Sequence, residues 1–403
     1  MTHDAAAKQD EMRRNNLSSV LRLVHAKGAV SRADLTALTG LNRSTVKALT
    51  TDLKTVGLVG ESAPVGRGRS GRPSITVSPD AAHFYVLALD IGVEHLTACR
   101  VAVGGEVVAR ARLQQTPEDF DVLRTLRRLA ALVAEVLAAA SPQARCVGVG
   151  VGVCGVVSHH DGVVRFAPNL GWVDVPLRSL LAEQLGTSVQ IAIGNDGDVG
   201  ALAEQLRGAG WGRSDLVYIS GEVGIGGGVI LADRPLTGAG GYAGEIGHMS
   251  INPRGRQCRC GRRGCWETEV GDQAVLQSTG APEGSTLPDV LAAYAAGEHW
   301  PRAGMRRVGR ALGLGVANLV NIFNPQVIVF GGTSSSIFLA TEPLVRLAMA
   351  EALAAPQEGL LLAVAGLGED STVLGAAELA FAPLLADPLG VLGQILTPLR
   401  TSA

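Results

Sequence analysis

Four apolar residues at helical spacing, Leu17, Val20, Leu21 and Val24, predict a helix over Asn16–Ala26. Ser31 then caps a short helix that carries Leu35 and Leu38 and closes at Gly40. A third helix starts at Asn42 and runs to about Thr55. Its Val46, Leu49 and Leu53 turn inward, which leaves Arg43, Ser44, Thr45 and Lys47 on the outer face. Leu58–Val59 and Ile75–Val77 read as two strands. The loop between them, Gly66–Pro73, is kept slim by glycine and carries Arg67, Arg69 and Arg72. These elements outline a winged helix-turn-helix over residues 1–80, with the third helix fit for a major groove. A narrow minor groove attracts inserted arginine. An ordinary three-helix bundle would show the same helical pattern. The arginine-bearing loop favours DNA, because a flexible linker has no need of arginine at that spacing.

After a connection at 78–83 the pattern changes to strands. Tyr85–Leu89 ends in Asp90-Ile91-Gly92, and His95–Val101 and Glu106–Arg110 complete a meander. A long helix follows from about Asp119 to Ala140. Cys146–Val153 is a continuous apolar strand suited to burial in a sheet. Ile191–Ile193 leads into Gly194-Asn195-Asp196 and a helix over Gly197–Leu206. Asp215–Ser220 is a further strand, leading to a glycine turn at 221–228. A helix from about Arg306 to Phe323 leads to the strand Val327–Phe330.

A chain of 403 residues allows two or three domains, and 47% apolar content supports sizeable cores. Aromatic residues are only 4%, so those cores are chiefly Ala, Val and Leu. No run of about 18 apolar residues occurs, so no membrane span is expected. The start, MTHDAAAKQDEMRRNN, is polar and charged, unlike a secretory signal. The formal charge of −2 hides an asymmetry. Residues 1–80 hold twelve basic and seven acidic residues, for +5, and the remainder 23 and 30, for −7. Only the head is therefore suited to approach nucleic acid.

The densest chemistry lies at Gly244-Glu245-Ile246-Gly247-His248 and at Cys258-Arg259-Cys260-Gly261-Arg262-Arg263-Gly264-Cys265-Trp266-Glu267. Three thiolates and an imidazole, from Cys258, Cys260, Cys265 and His248, make a tetrahedral zinc site. The two intervening glycines let the backbone turn so that the sulfurs face one point. Disulfides are the weaker alternative, since Cys99, Cys146 and Cys154 sit singly in apolar segments. Free cysteines beside a zinc cluster fit a reducing cytoplasm.

GEIGH followed by CxCGxxGCxE resembles the signature of the ROK family, which comprises sugar-responsive repressors, uncharacterised reading frames and sugar kinases. The resemblance runs from about Phe84 to Leu385 and implies an α/β fold. The body, 83–403, would be an actin-like or hexokinase-type duplicated α/β unit, with its zinc loop at 248–265 and a ligand cleft between two lobes. The repressor branch of the family carries a DNA-binding head, with Gly-Arg-Pro where this chain has Gly71-Arg72-Pro73.

By the same resemblance Asp196 takes the place of the kinases' general base, and Asn195 binds a neighbouring hydroxyl. Read from the residues alone, Asp196 also suits a cap for the helix after it. Glu245, His248 and Glu267 match further sugar contacts, and His248 would use one nitrogen for zinc and the other for a hydroxyl. Asn169 resembles another sugar contact, although Asn is also common in turns. The phosphate half departs from the kinases. Val93-Glu94-His95 stands where they have Gly-Thr-Lys, and Glu222 takes a threonine's place in the second loop. Phosphoryl transfer depends on donors and cations around the phosphate. No catalytic residue is therefore expected; Asp196 would be one only in a kinase.

The chain is expected to be a DNA-binding repressor modulated by a sugar or sugar derivative. It would act as a homodimer or homotetramer on a double-stranded operator, with zinc as cofactor and no membrane contact. A zinc-containing sugar kinase with a regulatory head is the alternative, distinguished by ATP consumption with a panel of hexoses.

Overall fold

A computed structural model describes residues 2–63 and 74–396. The loop arginines Arg67, Arg69 and Arg72 lie outside the described residues.

The head opens with α1 (Thr2–Lys27), which is longer than its apolar stripe predicts. β1 (Val30–Ser31), α2 (Arg32–Thr39) and α3 (Arg43–Thr55) follow. The expected Ser31 cap forms, its Oγ accepting from the Asp34 N–H at 3.0 Å, and Asn42 caps α3 in the same way, its Oδ1 accepting from the Thr45 N–H at 2.8 Å. β2 (Val59–Ser62) and β3 (Thr76–Pro79) pair antiparallel, and β3 takes β1 on its other edge. That third strand leaves no trace in the hydrophobic pattern, being two residues long.

The first lobe contains β4 (Phe84–Ile91), β5 (His95–Ala102), β6 (Val107–Gln114) and α4 (Val122–Ala138). It continues with β7 (Arg145–Val153), β8 (Val156–Ser158), β9 (Val163–Ala167) and β10 (Trp172–Val175). Then come α5 (Leu177–Leu185), β11 (Ile191–Asn195) and α6 (Asp196–Arg207). The main sheet of this lobe runs β11-β7-β4-β5-β6.

The second lobe holds β12 (Leu216–Gly221), β13 (Ile225–Leu231) and β14 (Arg234–Pro235). The helices α7 (Glu267–Val270), α8 (Asp272–Thr279), α9 (Leu287–Ala295) and α10 (Arg302–Phe323) follow. β15 (Val327–Gly332), α11 (Thr333–Met349), α12 (Ala354–Gln357) and β16 (Leu361–Val364) complete it. Its sheet runs β14-β13-β12-β15-β16. Both sheets therefore follow one plan, an antiparallel meander extended by two parallel strands. This is the duplicated α/β architecture.

The chain then returns to the first lobe with α13 (Ser371–Ala386) and continues into α14 (Pro388–Leu396). The alternating glycines of β7 receive α13: a Cβ on Gly148 or Gly150 would meet the carbonyls of Ala380 and Ala376. The run Gly226-Gly227-Gly228, which the sequence suggests is a turn, lies inside β13. Close approach is the physical reason. A Cβ on Gly197 of α6 would strike the Gly227 backbone, and one on Gly228 would strike the Gly197 carbonyl. No single helix among the described residues is long and apolar enough to cross a membrane.

Head and body share one apolar core. Leu17, Val20, Leu21 and Val24 of α1 pack in the same cluster as Phe84, Phe381, Leu384 and Leu392. A buried polar joint sits beside it. Glu378 of α13 accepts from His25 Nε2 at 3.1 Å and from Arg207 Nε at 2.6 Å. Arg207 also donates to the carbonyls of Gly104, at 2.7 Å, and His25, at 3.3 Å. Arg207 is the last residue of α6, and Asp196 is the first. One helix thus joins the lobe cleft to the head.

Candidate functional site

Between the lobes lies a cavity of about 90 Å³, whose lining includes Asn169, Asn195, Asp196, Glu245, His248, Arg259 and Glu267. It opens at the carboxyl ends of β11 and β12, where open α/β sheets bind ligands.

β11 delivers Asn195 and Asp196 to the cavity, and they divide the work. Asn195 Oδ1 accepts from the N–H groups of Gly197 and Asp198 at 2.8 and 3.3 Å, so it caps α6. Its Nδ2 donates to the Gly155 carbonyl at 2.8 Å. The capping role considered for Asp196 therefore falls chiefly on Asn195. Asp196 lines the cavity, and its carboxyl is pushed up to about 7. Burial is the main cause; Asp90 and Glu245 add to it, against the Gly197 N–H. Burial also raises Glu245, with His248 opposing.

The ligand atoms of His248, Cys258, Cys260 and Cys265 all lie within 4.8 Å of one another. Cys258 Sγ is 3.7 Å from His248 Nδ1, and Cys260 Sγ is 3.6 Å from Cys265 Sγ. Sulfurs bound tetrahedrally at ~2.3 Å sit about 3.8 Å apart, so the cluster could hold a metal ion. All six cysteines are free, which disfavours the disulfide alternative. Gly261 and Gly264 have φ of 90° and 69°, and a Cβ on Gly264 would strike the Asn252 carbonyl. His248 turns Nδ1 to the thiols and holds Nε2 3.9 Å from Glu245. Its second nitrogen is thus turned toward Glu245, while Glu267 Oε1 lies 3.4 Å from Nδ1.

Arg259 also lines the cavity and is not anticipated from the sequence. Its Nη1 donates to Asn169 Oδ1 at 2.6 Å, tying the cysteine loop to the turn between β9 and β10. The one signal for it is its place between Cys258 and Cys260, where two cluster residues fix the backbone.

A larger, acidic cavity of about 470 Å³ adjoins the first through Ser220 and Glu222. Five carboxyl-bearing residues line it, Asp90, Glu94, Glu222, Asp272 and Glu369, against His95 and Arg112. Asp90 is paired with His95 Nε2 at 2.8 Å, and Arg112 with Glu369 at 2.7 Å. His95, which takes the lysine's place in the sequence pattern, is therefore already engaged. Glu222 sits among these groups. Burial first, then Asp196, Asp90 and Glu94, push its carboxyl well above the ordinary range. Arg112 opposes that shift.

On α3, Arg43, Ser44 and Lys47 are exposed, and Thr45 is half-buried. Ser44 Oγ donates to Asn42 Oδ1 at 2.6 Å, so it helps to fix the helix start.

The ROK family model matches residues 86–382. The xylose repressor of Caldicellulosiruptor bescii is 30% identical over 390 residues, covering 92% of this chain and 96% of that one. A ROK family transcriptional regulator, described as a homologue of the E. coli Mlc protein, superposes with a TM-score of 0.78 at 27% identity. That match covers 96% of this chain and 99% of the other. A ROK family glucokinase from Streptomyces griseus, solved with glucose and AMPPNP, gives a TM-score of 0.64 at 25% identity. It covers 74% of this chain and 99% of its own.

Proposed function

The chain belongs to the ROK family, and we propose that it is a transcriptional repressor whose operator affinity is set by a sugar in the interlobe cavity. The likeness to a repressor along nearly the whole chain, head included, carries this reading. The effector would be an aldose, with xylose the first candidate from the repressor relative. Asp196, Asn195, Asn169, Glu245, His248 and Glu267 would meet its hydroxyls. Zinc would be held by His248, Cys258, Cys260 and Cys265, where it would fix the imidazole and the loop that carries Arg259. The protein would act in the cytoplasm as a symmetric oligomer on a palindromic operator.

The head, 1–80, would read DNA with Arg43, Ser44, Thr45 and Lys47 in the major groove and Arg67, Arg69 and Arg72 in the wing. Sugar binding at one end of α6 would shift Arg207 at its other end, and with it the seat of α1. Coupling of this kind is typically worth ~1–3 kcal/mol. Changing the three wing arginines to alanine should weaken operator binding at least ~10-fold and flatten the salt dependence, since each phosphate contact contributes about 0.9 to the slope. Unchanged affinity and slope in a filter-binding series would remove the wing from the reading.

Metal analysis should find about one zinc per chain. Cys260→Ser should lose it, and the sugar response with it, while the body stays folded on its own cores. A metal-free variant that still answers to sugar would separate the loop from the ligand. The kinase reading keeps one observation in its favour: a carboxyl near 7 suits a general base. The acidic cavity weighs against it.

A further inference from the structure

A third cavity, of about 320 Å³, adjoins the sugar cavity and shares no lining residue with the acidic one. With the sugar cavity it shares Asn169, Val223, Gly224, Arg259 and Glu267. Three chambers thus run in a row, with the Arg259–Asn169 hydrogen bond on the border of the last. The shared wall is thin at Gly224, where a Cβ would already meet the Glu267 carboxylate.

The outer chamber has its own chemistry. Gln273 and Gln277 stand four residues apart on α8, hence on one helix face, and both are exposed. Gln257 and Thr268 add an amide and a hydroxyl. Arg256 Nη1 donates to Gln277 Oε1 at 2.8 Å, which fixes that amide and leaves its NH2 to donate elsewhere. Ala274 and Gly224 supply a small apolar floor. Among the described residues, Glu267 on the shared wall is the one carboxylate lining the chamber. Neutral amides, a hydroxyl and the guanidiniums of Arg256 and Arg259, the first already tied to Gln277 and the second to Asn169, surround a small floor and suit an uncharged ring bearing several hydroxyls. They offer a cationic or apolar ligand little.

We propose that the outer chamber is a second saccharide subsite, so that the effector bound most tightly is a disaccharide or other glycoside, with one ring in each chamber. This rests on the sugar-effector reading above. The bridging oxygen would pass beside Gly224, and Arg259, reaching into both chambers, would donate to hydroxyls of either ring.

Calorimetry on the full-length chain tests this with two pairs of probes, xylose with β-1,4-xylobiose and glucose with cellobiose. For the pair whose monosaccharide binds, the disaccharide is expected to bind at least about 10-fold more tightly, a modest return for a second ring. In the Gln273→Ala, Gln277→Ala double variant that advantage should disappear. Monosaccharide affinity should stay within about 2-fold, as for surface substitutions away from a site. Neither residue lines the sugar cavity. Equal or weaker disaccharide binding overturns the subsite, as does an advantage that survives the double variant. If no probe of either size binds, the sugar reading of the whole cleft falls, and the subsite with it.

Discussion

Glu378→Ala is expected to lower the stability of the full-length chain by about 3–5 kcal/mol, the usual cost of removing one member of a buried ion pair. Glu378 is almost wholly buried, as is His25, and Arg207 is mostly so. The Gly104 N–H points at His25 Nδ1 at 2.9 Å, so the ring's proton sits on Nε2 and is donated to Glu378. Arg207 adds a guanidinium charge. Burial alone would raise the Glu378 carboxyl, but His25 and Arg207 outweigh it and hold the group below its usual range. Alanine leaves Arg207 charged, buried and without its carboxylate, and it removes the acceptor for His25. A group with a depressed folded-state pKa contributes stability above its unfolded value and loses it as pH falls through the folded one. The difference between wild type and variant should therefore shrink in acid. Denaturant unfolding at pH 7 measures the loss, and a value under about 1 kcal/mol, the range of an exposed pair, contradicts the joint. Should the alanine variant fail to fold, Glu378→Gln keeps the shape and should show a smaller loss of the same sign.

The second large effect is an absence of turnover. With ATP, magnesium and either xylose or glucose, turnover should fall at least ~10³-fold below the enzyme median of about 10 per second. Asp90 is already engaged by His95, and Arg112 by Glu369. Glu94, Glu222 and Asp272 fill a space that a nucleotide's phosphates would need lined with donors. Burial favours the neutral form of Glu222, and an incoming phosphate would favour it further. A coupled assay that finds turnover near the median would promote the kinase and demote the repressor.

Local signals made much of this readable in advance. Ser31 and Asn42 each cap a helix through a contact three residues away, so the head's helices are written in short stretches. The group that could hold a metal ion shows in the spacing of Cys258, Cys260 and Cys265, with His248 just upstream. Long-range features are different. His25 and Glu378 are separated by 353 positions, and nothing near either residue announces the other. The fusion of head and body cores is invisible for the same reason, because an apolar stripe on α1 does not say what covers it. The glycines of β13 misled in the other direction. A run of glycine suggests a turn, yet here it lets α6 lie almost on the strand. Asn195 and Asp196 illustrate a finer limit: both residue types cap helices, and only the folded chain shows which one does.

Sugar in the interlobe cavity should weaken the grip of the head on DNA through α6. The most direct test is the affinity of the full-length chain for its operator, by fluorescence anisotropy at fixed salt, with and without saturating xylose, in wild type and in Asp196→Ala. Sugar should weaken wild-type binding by about 5–150-fold, the range of typical allosteric couplings. The variant should bind sugar-free DNA as wild type does and ignore the sugar. Operator affinity indifferent to every aldose tried, or a variant that still responds in full, would contradict it.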